Sequence, residues 1–142
     1  MATSRGRFNT DLIEDLRAHG GKASGGLFKG RDILILTTSG AKTGAARETP
    51  LVFSRDGDRV VIIGSKGGAP TNPHWYHNLR AQPEVTVEVD GKKFQARAHF
   101  AEGDDYERLY KHHADITPSF HEYRQRTTRR IPVVVLEPIN SK

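Results

Sequence analysis

Two alternating segments constrain the fold of this chain more than any other feature of its sequence. In residues 84–89 every second residue is valine, and in residues 93–100 every second residue is phenylalanine or alanine. Asp90-Gly91 lies between the two segments and is typical of a tight β-hairpin turn. Since alternate residues of a strand point to the same side, both segments bury one face. The pattern therefore predicts an antiparallel sheet.

Four more segments have the apolar runs expected of strands, namely 33–38, 49–54, 59–64 and 131–136. The second and third of them flank Arg55-Asp56-Gly57-Asp58, a further hairpin signal. Helices are predicted over 73–81 and 104–115, with a short second piece over 118–126, and they interrupt the strands without a regular strand–helix–strand alternation. Six short strands in this arrangement predict a mainly β, α+β fold: a six-stranded antiparallel barrel with peripheral helices.

The N-terminal part is expected to differ from the rest of the chain. We divide the sequence into an arm and amphipathic helix over residues 1–30 and a single barrel domain over residues 31–142. Asp11 and Glu14 predict a helix start after a mobile arm over 1–10. The apolar stripe of this helix is expected to pack on the barrel, although its neighbouring arginines would also allow contact with a membrane surface.

Composition excludes several classes of protein. None of the 142 residues is cysteine, so a disulfide framework and thiol catalysis are excluded. The longest purely aliphatic runs are too short for a transmembrane helix, and no apolar leader follows Met1. We therefore expect a cytoplasmic protein, with the inner face of the cell membrane as the alternative. The net charge of +5 suits an anionic partner.

Two glycine-rich loops are candidates for binding that anion. The first, 40–47, contains Lys42 and Arg47, while the second, 65–70, contains Lys66. Cations beside free backbone N–H groups suit a phosphate or a carboxylate, although a polar hairpin loop and a flexible connector are the simpler alternatives.

The helix that follows the second loop adds residues suited to a flat cofactor. A strand, a glycine loop and a helix N-terminus together form a cradle for an anionic cofactor. Trp75 would flank a flavin-like ring and Asn78 would bond to its carbonyl edge, whereas Trp75 taken alone is more typical of a core.

Other charged clusters favour no function. The seven histidines show no metal-ligand spacing, so we expect no metal site. Four arginines lie within residues 124–130 and would suit a phosphate backbone, but no aromatic residue is interleaved among them. We interpret this cluster as a solvated face and expect no nucleic-acid partner.

Three ordered motifs carry a family resemblance. They are T-T-S-G-A-K-T-G-x-x-R-x-T-P-L, S-K-G-G-A-P-x-x-P-x-W-Y-x-N-L-R-A-x-P-E-V and R-R-I-P-V-V-V-L-E-P, and they run from about Ile33 to Pro138. This pattern resembles the deazaflavin-dependent nitroreductase family. The resemblance implies a split β-barrel of the FMN-binding, flavin-reductase type. It also implies coenzyme F-420, a deazaflavin with a phosphate and a polyglutamate tail, and hydride transfer to quinones, nitro compounds or other electron-poor acceptors.

The resemblance also implies individual roles. Phe120 and Tyr123 match the substrate wall, and Tyr123 and Ser65 are the implied catalytic residues. The cofactor-binding residues implied by the match are Lys42, Thr43, Gly44, Arg47, Pro50, Ile63, Gly64, Ser65, Lys66, Gly67, His74, Trp75 and Asn78.

The sequence departs from the family in the substrate wall. Nitroreductase members carry several tyrosines along the segment that matches 117–123, but here only Tyr123 keeps a tyrosine hydroxyl, and Thr117 and Phe120 stand where tyrosine is expected. We therefore expect a quinone or another electron-poor small molecule to be reduced and nitroimidazoles to be poor substrates. An FMN-binding oxidoreductase on the same barrel and a non-catalytic F-420-binding protein are the alternatives.

Overall fold

The computed structural model describes residues 4–25, 29, 31–40 and 43–139. This part of the chain forms four α-helices and seven β-strands. The helices are α1 (Ser4–Ala18), α2 (His74–Ala81), α3 (Gly103–Ile116) and α4 (Ser119–Gln125). The strands are β1 (Ile33–Ser39), β2 (Ala46–Val52), β3 (Ser54–Asp56), β4 (Arg59–Ile63), β5 (Glu84–Val89), β6 (Lys92–Phe100) and β7 (Val133–Pro138).

All seven strands belong to one antiparallel sheet in the order β2-β1-β5-β6-β7-β4-β3. The two outermost strands, β2 and β3, are consecutive in the chain and separated only by Phe53. The sheet must therefore curl until the end of β2 lies next to the start of β3, which makes it a curled half-barrel. Phe53 lies at the corner, 2% exposed, and its N–H donates to the carbonyl oxygen of Asp32 (3.1 Å).

The mainly antiparallel architecture with helices is confirmed, but the count of six strands is wrong. The single strand predicted over 49–54 is two strands that turn the corner at Phe53. The apolar run continues through this corner because Phe53 packs into the barrel interior. The break therefore has no glycine or proline to reveal it.

Side-chain alternation sorts the core into an interior and an outer layer. Val60 and Ile62 of β4 point into the barrel, where Trp75 and Leu79 of α2 also pack. Val61 and Ile63 point outward and are covered by α3 and α4. Burying such a side chain contributes about 1.5–3 kcal/mol, so both faces of β4 stabilise the fold.

The N-terminal helix begins earlier than expected and packs on the barrel. α1 starts at Ser4, so the predicted arm over 1–10 is wrong for residues 4–10. No proline interrupts this stretch, and extending an existing helix costs little. Ile13 and Leu16 are buried against β1, and the Arg17 guanidinium bonds to Glu48 (2.5 Å) and Glu88 (2.6 Å). Among the described residues, no helix has both the length and the hydropathy needed to cross a membrane.

The remaining elements follow their predictions closely. The β5–β6 hairpin turns through Asp90 and Gly91, both with positive φ (53° and 79°), as a type I′ turn requires. α2 begins one residue later than predicted, after an extended Pro73. α3 and α4 are joined by two residues, and this short connection sets α4 beside the end of β4.

Candidate functional site

A cleft of about 670 Å³ opens on one side of the barrel. β2, the segment after β4, the start of α2, and α4 line it. None of the described lining residues is acidic, so the cleft suits an anion better than a cation. No three His, Asp or Glu side chains of the described residues converge as metal ligands. The lining residues are Asn9, Arg31, Thr49, Pro50, Leu51, Val52, Ile63, Ser65, Lys66, Pro73, His74, Trp75, Thr117, Ser119, Phe120 and Tyr123.

Many of the residues singled out from the sequence meet in this cleft. They come from β2, β4, the segment after β4, α2 and α4, and they span more than seventy positions of the chain. Those that line it are Pro50, Ile63, Ser65, Lys66, His74, Trp75, Phe120 and Tyr123. Trp75 is 3% exposed and belongs to the barrel interior as well, so it is both a core residue and part of the cleft wall.

The segment over residues 64–73, which we term the cofactor loop after the role that the resemblance implies for it, is tightly turned. Ser65 is 5% exposed, and a short 3-10 turn follows it over Lys66–Gly68. Lys66 has φ +50°, a left-handed conformation that costs a non-glycine residue free energy and often marks functional sites. Its ammonium donates to Thr71 Oγ1 (3.1 Å). The turn thus places the Ser65 hydroxyl group in the wall and a cation at the mouth.

Arg129 holds the cofactor loop from outside the cleft. Its guanidinium donates five hydrogen bonds of 2.5–3.2 Å, and the acceptors are Gly64 O, Ser65 O, Ala69 O and Asn72 Oδ1. Burial lowers the pKa of Arg129, with the neighbouring tyrosines opposing that shift. This contact was not predicted from the sequence, although Arg129 opens the R-R-I-P motif.

The interpretation of residues 124–130 as a solvated face is wrong for Arg129, and its neighbours also have partners within the protein. Arg124 pairs with Glu107 (2.8 Å), Arg126 lies 3.8 Å from Glu122, and Arg130 lies over the ring of Tyr106 (3.9 Å to its centroid). The sequence near these arginines could not predict the contacts, because most of the partner residues lie on another helix.

The substrate wall on α4 rests on buried polar contacts. Phe120 and Tyr123 meet edge to face, with ring centroids 5.2 Å apart. The Tyr110 hydroxyl donates to Phe120 O (2.5 Å), and burial raises the pKa of Tyr110 to about 12, so this donor stays protonated. The wall is therefore held in place from behind, and half-buried Tyr123 lines the cleft together with Phe120.

Behind Phe120 lies a histidine that the sequence did not single out. His113 is 1% exposed, its ring centroid is 4.4 Å from that of Phe120, and its Nδ1 is hydrogen-bonded to Ser54 Oγ (2.9 Å). Burial lowers the pKa of His113 to about 4, with a smaller contribution from His112. The imidazole is therefore neutral near pH 7 and supports the wall without supplying a proton.

The described residues of the first glycine loop lie outside the cleft. Thr43, Gly44 and Arg47 are exposed and do not line the cleft, and Lys42 lies outside the described residues. Arg47 lies on β2 two residues before Thr49 and four before Leu51. Since alternate strand residues share a face, Arg47 continues the β2 wall beyond the cleft.

Asn78, Gly64 and Gly67 are close to the cleft without lining it. Asn78 is 5% exposed and its Nδ2 donates to Thr38 Oγ1 (3.1 Å) within the barrel. A Cβ on Gly64 would lie 2.8 Å from Pro132 Cγ, so this position needs glycine to let the chain pass. Gly67 is part of the 3-10 turn. These three residues are therefore not among those that line the cleft, and their role toward a cofactor stays a prediction.

Two known proteins share much of this sequence and fold. A Mycobacterium tuberculosis (strain H37Rv) protein named F-420H(2)-dependent quinone reductase is 44% identical over 106 residues, which cover 72% of this chain and 71% of that protein. The solved structure of an F-420H(2)-dependent reductase, FDR-A, superposes with a TM-score of 0.70 at 36% identity and covers 75% of this chain and 95% of that one.

A more distant structure matches in fold alone. The heme storage protein HutZ of Vibrio cholerae is 14% identical with a TM-score of 0.60, and the match covers 91% of this chain and 89% of HutZ.

The sequence profile of one family, described as F-420H(2)-dependent quinone reductase, matches residues 9–138 and so includes every described residue that lines the cleft. The chain belongs to the F-420H(2)-dependent quinone reductase family.

Proposed function

We propose that the protein reduces quinones, or similarly flat and electron-poor small molecules, with a hydride from reduced F-420 bound in the cleft. The observation that carries this proposal is that the cofactor loop and the aromatic wall of α4 line one cleft of about 670 Å³. Clefts of about 300–1,000 Å³ are the usual size for cofactors and small substrates. Family membership and the name of the M. tuberculosis relative favour F-420 over FMN.

The residues present fit F-420. Trp75, Ile63 and Pro50 provide apolar surface for a flat ring, and the Ser65 hydroxyl group is placed to bond to a polar ring edge. The basic side chains Lys66 and Arg31, with no acidic residue among the described lining residues, suit a phosphate. When bound, F-420 would supply two-electron hydride chemistry. The chain itself needs to bind the cofactor, orient the acceptor and donate a proton to the acceptor.

The anionic tail of F-420 is proposed to leave the cleft along β2. Thr49 and Leu51 line the cleft, and Arg47 lies on the same face of that strand, one two-residue step of about 6.6–6.8 Å beyond Thr49. A carboxylate-rich tail that follows the strand would meet Arg47 and then the exposed hairpin at Thr43 and Gly44. These hairpin residues would bind the tail only, because they lie outside the cleft.

The acceptor is proposed to lie against α4. A flat quinone would pack on the Phe120 ring, while the Tyr123 hydroxyl orients the acceptor carbonyl oxygen and donates a proton to it. Aligning the acceptor in this way contributes about 7–11 kcal/mol to the rate. Thr117 lines the same wall where a tyrosine is expected, so nitroimidazoles lose a polar contact and should be poor substrates.

The proposal is tested by binding followed by turnover. Purified protein is titrated with F-420 and its fluorescence is followed, and F-420H₂ oxidation is then measured with a soluble quinone and with a nitroimidazole. We expect saturable binding, fast quinone reduction and slow nitroimidazole reduction. Binding without quinone turnover would favour a non-catalytic F-420-binding protein, and preferential FMN binding would contradict the cofactor assignment.

A further inference from the structure

Arg129 is hydrogen-bonded to the cofactor loop through all three guanidinium nitrogens. Nε and Nη2 both donate to Ala69 O (3.2 and 2.9 Å), and Nη2 also donates to Ser65 O (2.9 Å). Nη1 donates to Gly64 O (3.1 Å) and to Asn72 Oδ1 (2.5 Å). The acceptors lie 57 to 65 positions away in the sequence, so one side chain fixes both ends of the loop.

The hydrogen bonds between Arg129 and the cofactor loop require a planar group with several separate N–H donors, such as a guanidinium. All four acceptors are neutral oxygens, and among the described residues no carboxylate is paired with Arg129. A lysine ammonium at the same position presents three donors from a single nitrogen and cannot span acceptors spread around a plane. The contact therefore depends on the shape of the guanidinium as well as on its charge.

The same loop packs against the back of α4. A Cβ on Gly68 would lie 2.8 Å from Arg126 Cβ and 3.1 Å from Tyr123 O, and Gly68 has φ +84°. Only glycine fits that approach without strain. Tyr123 and Phe120 on the other side of α4 line the cleft. The loop that carries Ser65 and the helix that carries the substrate wall are thus in direct contact.

We propose that Arg129 is a positioning residue that sets the cofactor loop against α4, so that the cofactor-binding and acceptor-facing groups are held as one unit. The proposal rests on the proposed function for its effect on catalysis. Without Arg129 the loop carbonyls lose their donors, the 3-10 turn relaxes, and both the Ser65 wall and the Gly68 contact shift. Cofactor affinity and acceptor KM should therefore change together.

The first test compares Arg129→Ala and Arg129→Lys with Arg124→Ala. Arg124 is a matched control because it also follows α3, pairs with Glu107 (2.8 Å) and covers the Tyr110 ring (4.6 Å), but has no bond to the loop among the described contacts. We expect Arg129→Ala to weaken F-420 binding by about 10- to 100-fold and to raise the quinone KM, with a smaller change in kcat.

The second test separates positioning from general stability. Arg129→Lys should recover little of the lost affinity, while millimolar guanidinium should partly restore binding to Arg129→Ala and leave Arg124→Ala unaffected. Full rescue by lysine would show that only charge matters and would overturn the proposal. Equal losses of affinity in the Arg129 and Arg124 variants would overturn it as well.

The third test needs no cofactor, so it distinguishes this proposal from the proposed function. Gly68 N–H donates to Ser65 O (2.9 Å) and Ala69 N–H donates to Lys66 O (3.1 Å). Their hydrogen exchange in the free protein should accelerate in both Arg129 variants, while the Gly44 amide, bonded to Gly40 O (2.7 Å), should not change. Unchanged exchange at Gly68 and Ala69 would overturn the proposal even if F-420 binding is weakened.

Discussion

The two glycine-rich loops look alike in sequence and are built differently. The β1–β2 hairpin loop closes through local bonds, with Gly40 N–H donating to Ala45 O and Gly44 N–H donating to Gly40 O (2.7 Å each). The cofactor loop is held by Arg129 and pressed against α4 at Gly68. The first is therefore expected to adapt to a ligand, whereas the second presents a preformed surface.

This difference predicts a division of labour between the loops. A preformed loop suits the ring end of a cofactor, where reacting atoms must be aligned closely. An adaptable basic hairpin suits a tail of variable length that needs only charge. Substitutions near the cofactor loop should thus affect fold stability and the alignment of the reactants as well as cofactor affinity, whereas those in the hairpin should affect mainly cofactor affinity.

The largest expected effect is on quinone turnover, and it comes from Tyr123 in the substrate wall on α4. If the Tyr123 hydroxyl donates the proton, Tyr123→Phe should lower kcat for a quinone by about 10²–10⁴-fold, while Arg47→Ala in the hairpin changes mainly the Kd of F-420. Steady-state assays at saturating F-420H₂ check this contrast. The assigned role would be contradicted if nitroimidazole reduction is fast and Tyr123→Phe leaves the kcat for the quinone unchanged.

A glycine in each loop tests the difference in packing. Gly68→Ala forces a side chain into φ +84° and against α4, which should cost about 2–5 kcal/mol of unfolding free energy. Gly44 has a similar φ of +74° with no atom within 4 Å of an added Cβ, so Gly44→Ala should cost only about 1–2 kcal/mol. Urea unfolding of both variants measures the comparison, and equal losses would show that the cofactor loop yields as easily as the hairpin.

The support behind α4 should also give a pH dependence. Because burial lowers the pKa of His113 to about 4, the unfolded chain binds a proton that the folded chain excludes as pH falls below 6.5. Stability is therefore full above that pH and should decrease by at most about 3 kcal/mol by pH 4. His113→Leu should flatten this part of the stability curve measured by denaturant unfolding. An unaltered slope would mean that another group is responsible.

The smallest expected effects separate the two ends of the cofactor. Ser65→Ala and Arg47→Ala should each weaken F-420 binding by about 1–3 kcal/mol. With a truncated cofactor that lacks the glutamates, the Ser65→Ala effect should persist and the Arg47→Ala effect should shrink. Rising salt should weaken binding to wild type more than to Arg47→Ala. The reverse pattern in fluorescence titrations would exchange the roles of the two loops.

Local patterns explain which parts of this molecule could be predicted. The β5–β6 hairpin follows from valine alternation and Asp90-Gly91, and α2 follows from the Asn72-Pro73 start. The corner at Phe53 was missed because its apolar side chain continues the strand pattern while the backbone changes direction. Binary alternation predicts which face is buried and does not reveal where a barrel turns.

The site was predictable where a motif is compact and less so where support comes from afar. Ser65, Lys66 and Trp75 share one segment and line one cleft, and their role toward a cofactor stays a prediction. Asn78, expected at the ring edge, donates to Thr38 on β1. Arg129 acts across about sixty residues, and its charged neighbours in sequence made it resemble a surface cluster. Which residues come into contact at such sequence separations depends on the topology of the fold. The alternation of apolar and polar residues within one segment does not specify that topology.

The position of β7 has a consequence for synthesis of the protein. This last strand lies in the middle of the sheet, between β6 and β4, where Val133 pairs with Ile63. A chain emerging from the ribosome can form the β1–β2 and β5–β6 hairpins early, but the β4 edge has no neighbour on that side until residues 133–138 appear. Arg129 arrives only just before β7. A nascent chain therefore becomes competent to hold its cofactor in one late step, and premature release would leave an unpaired strand edge open to aggregation.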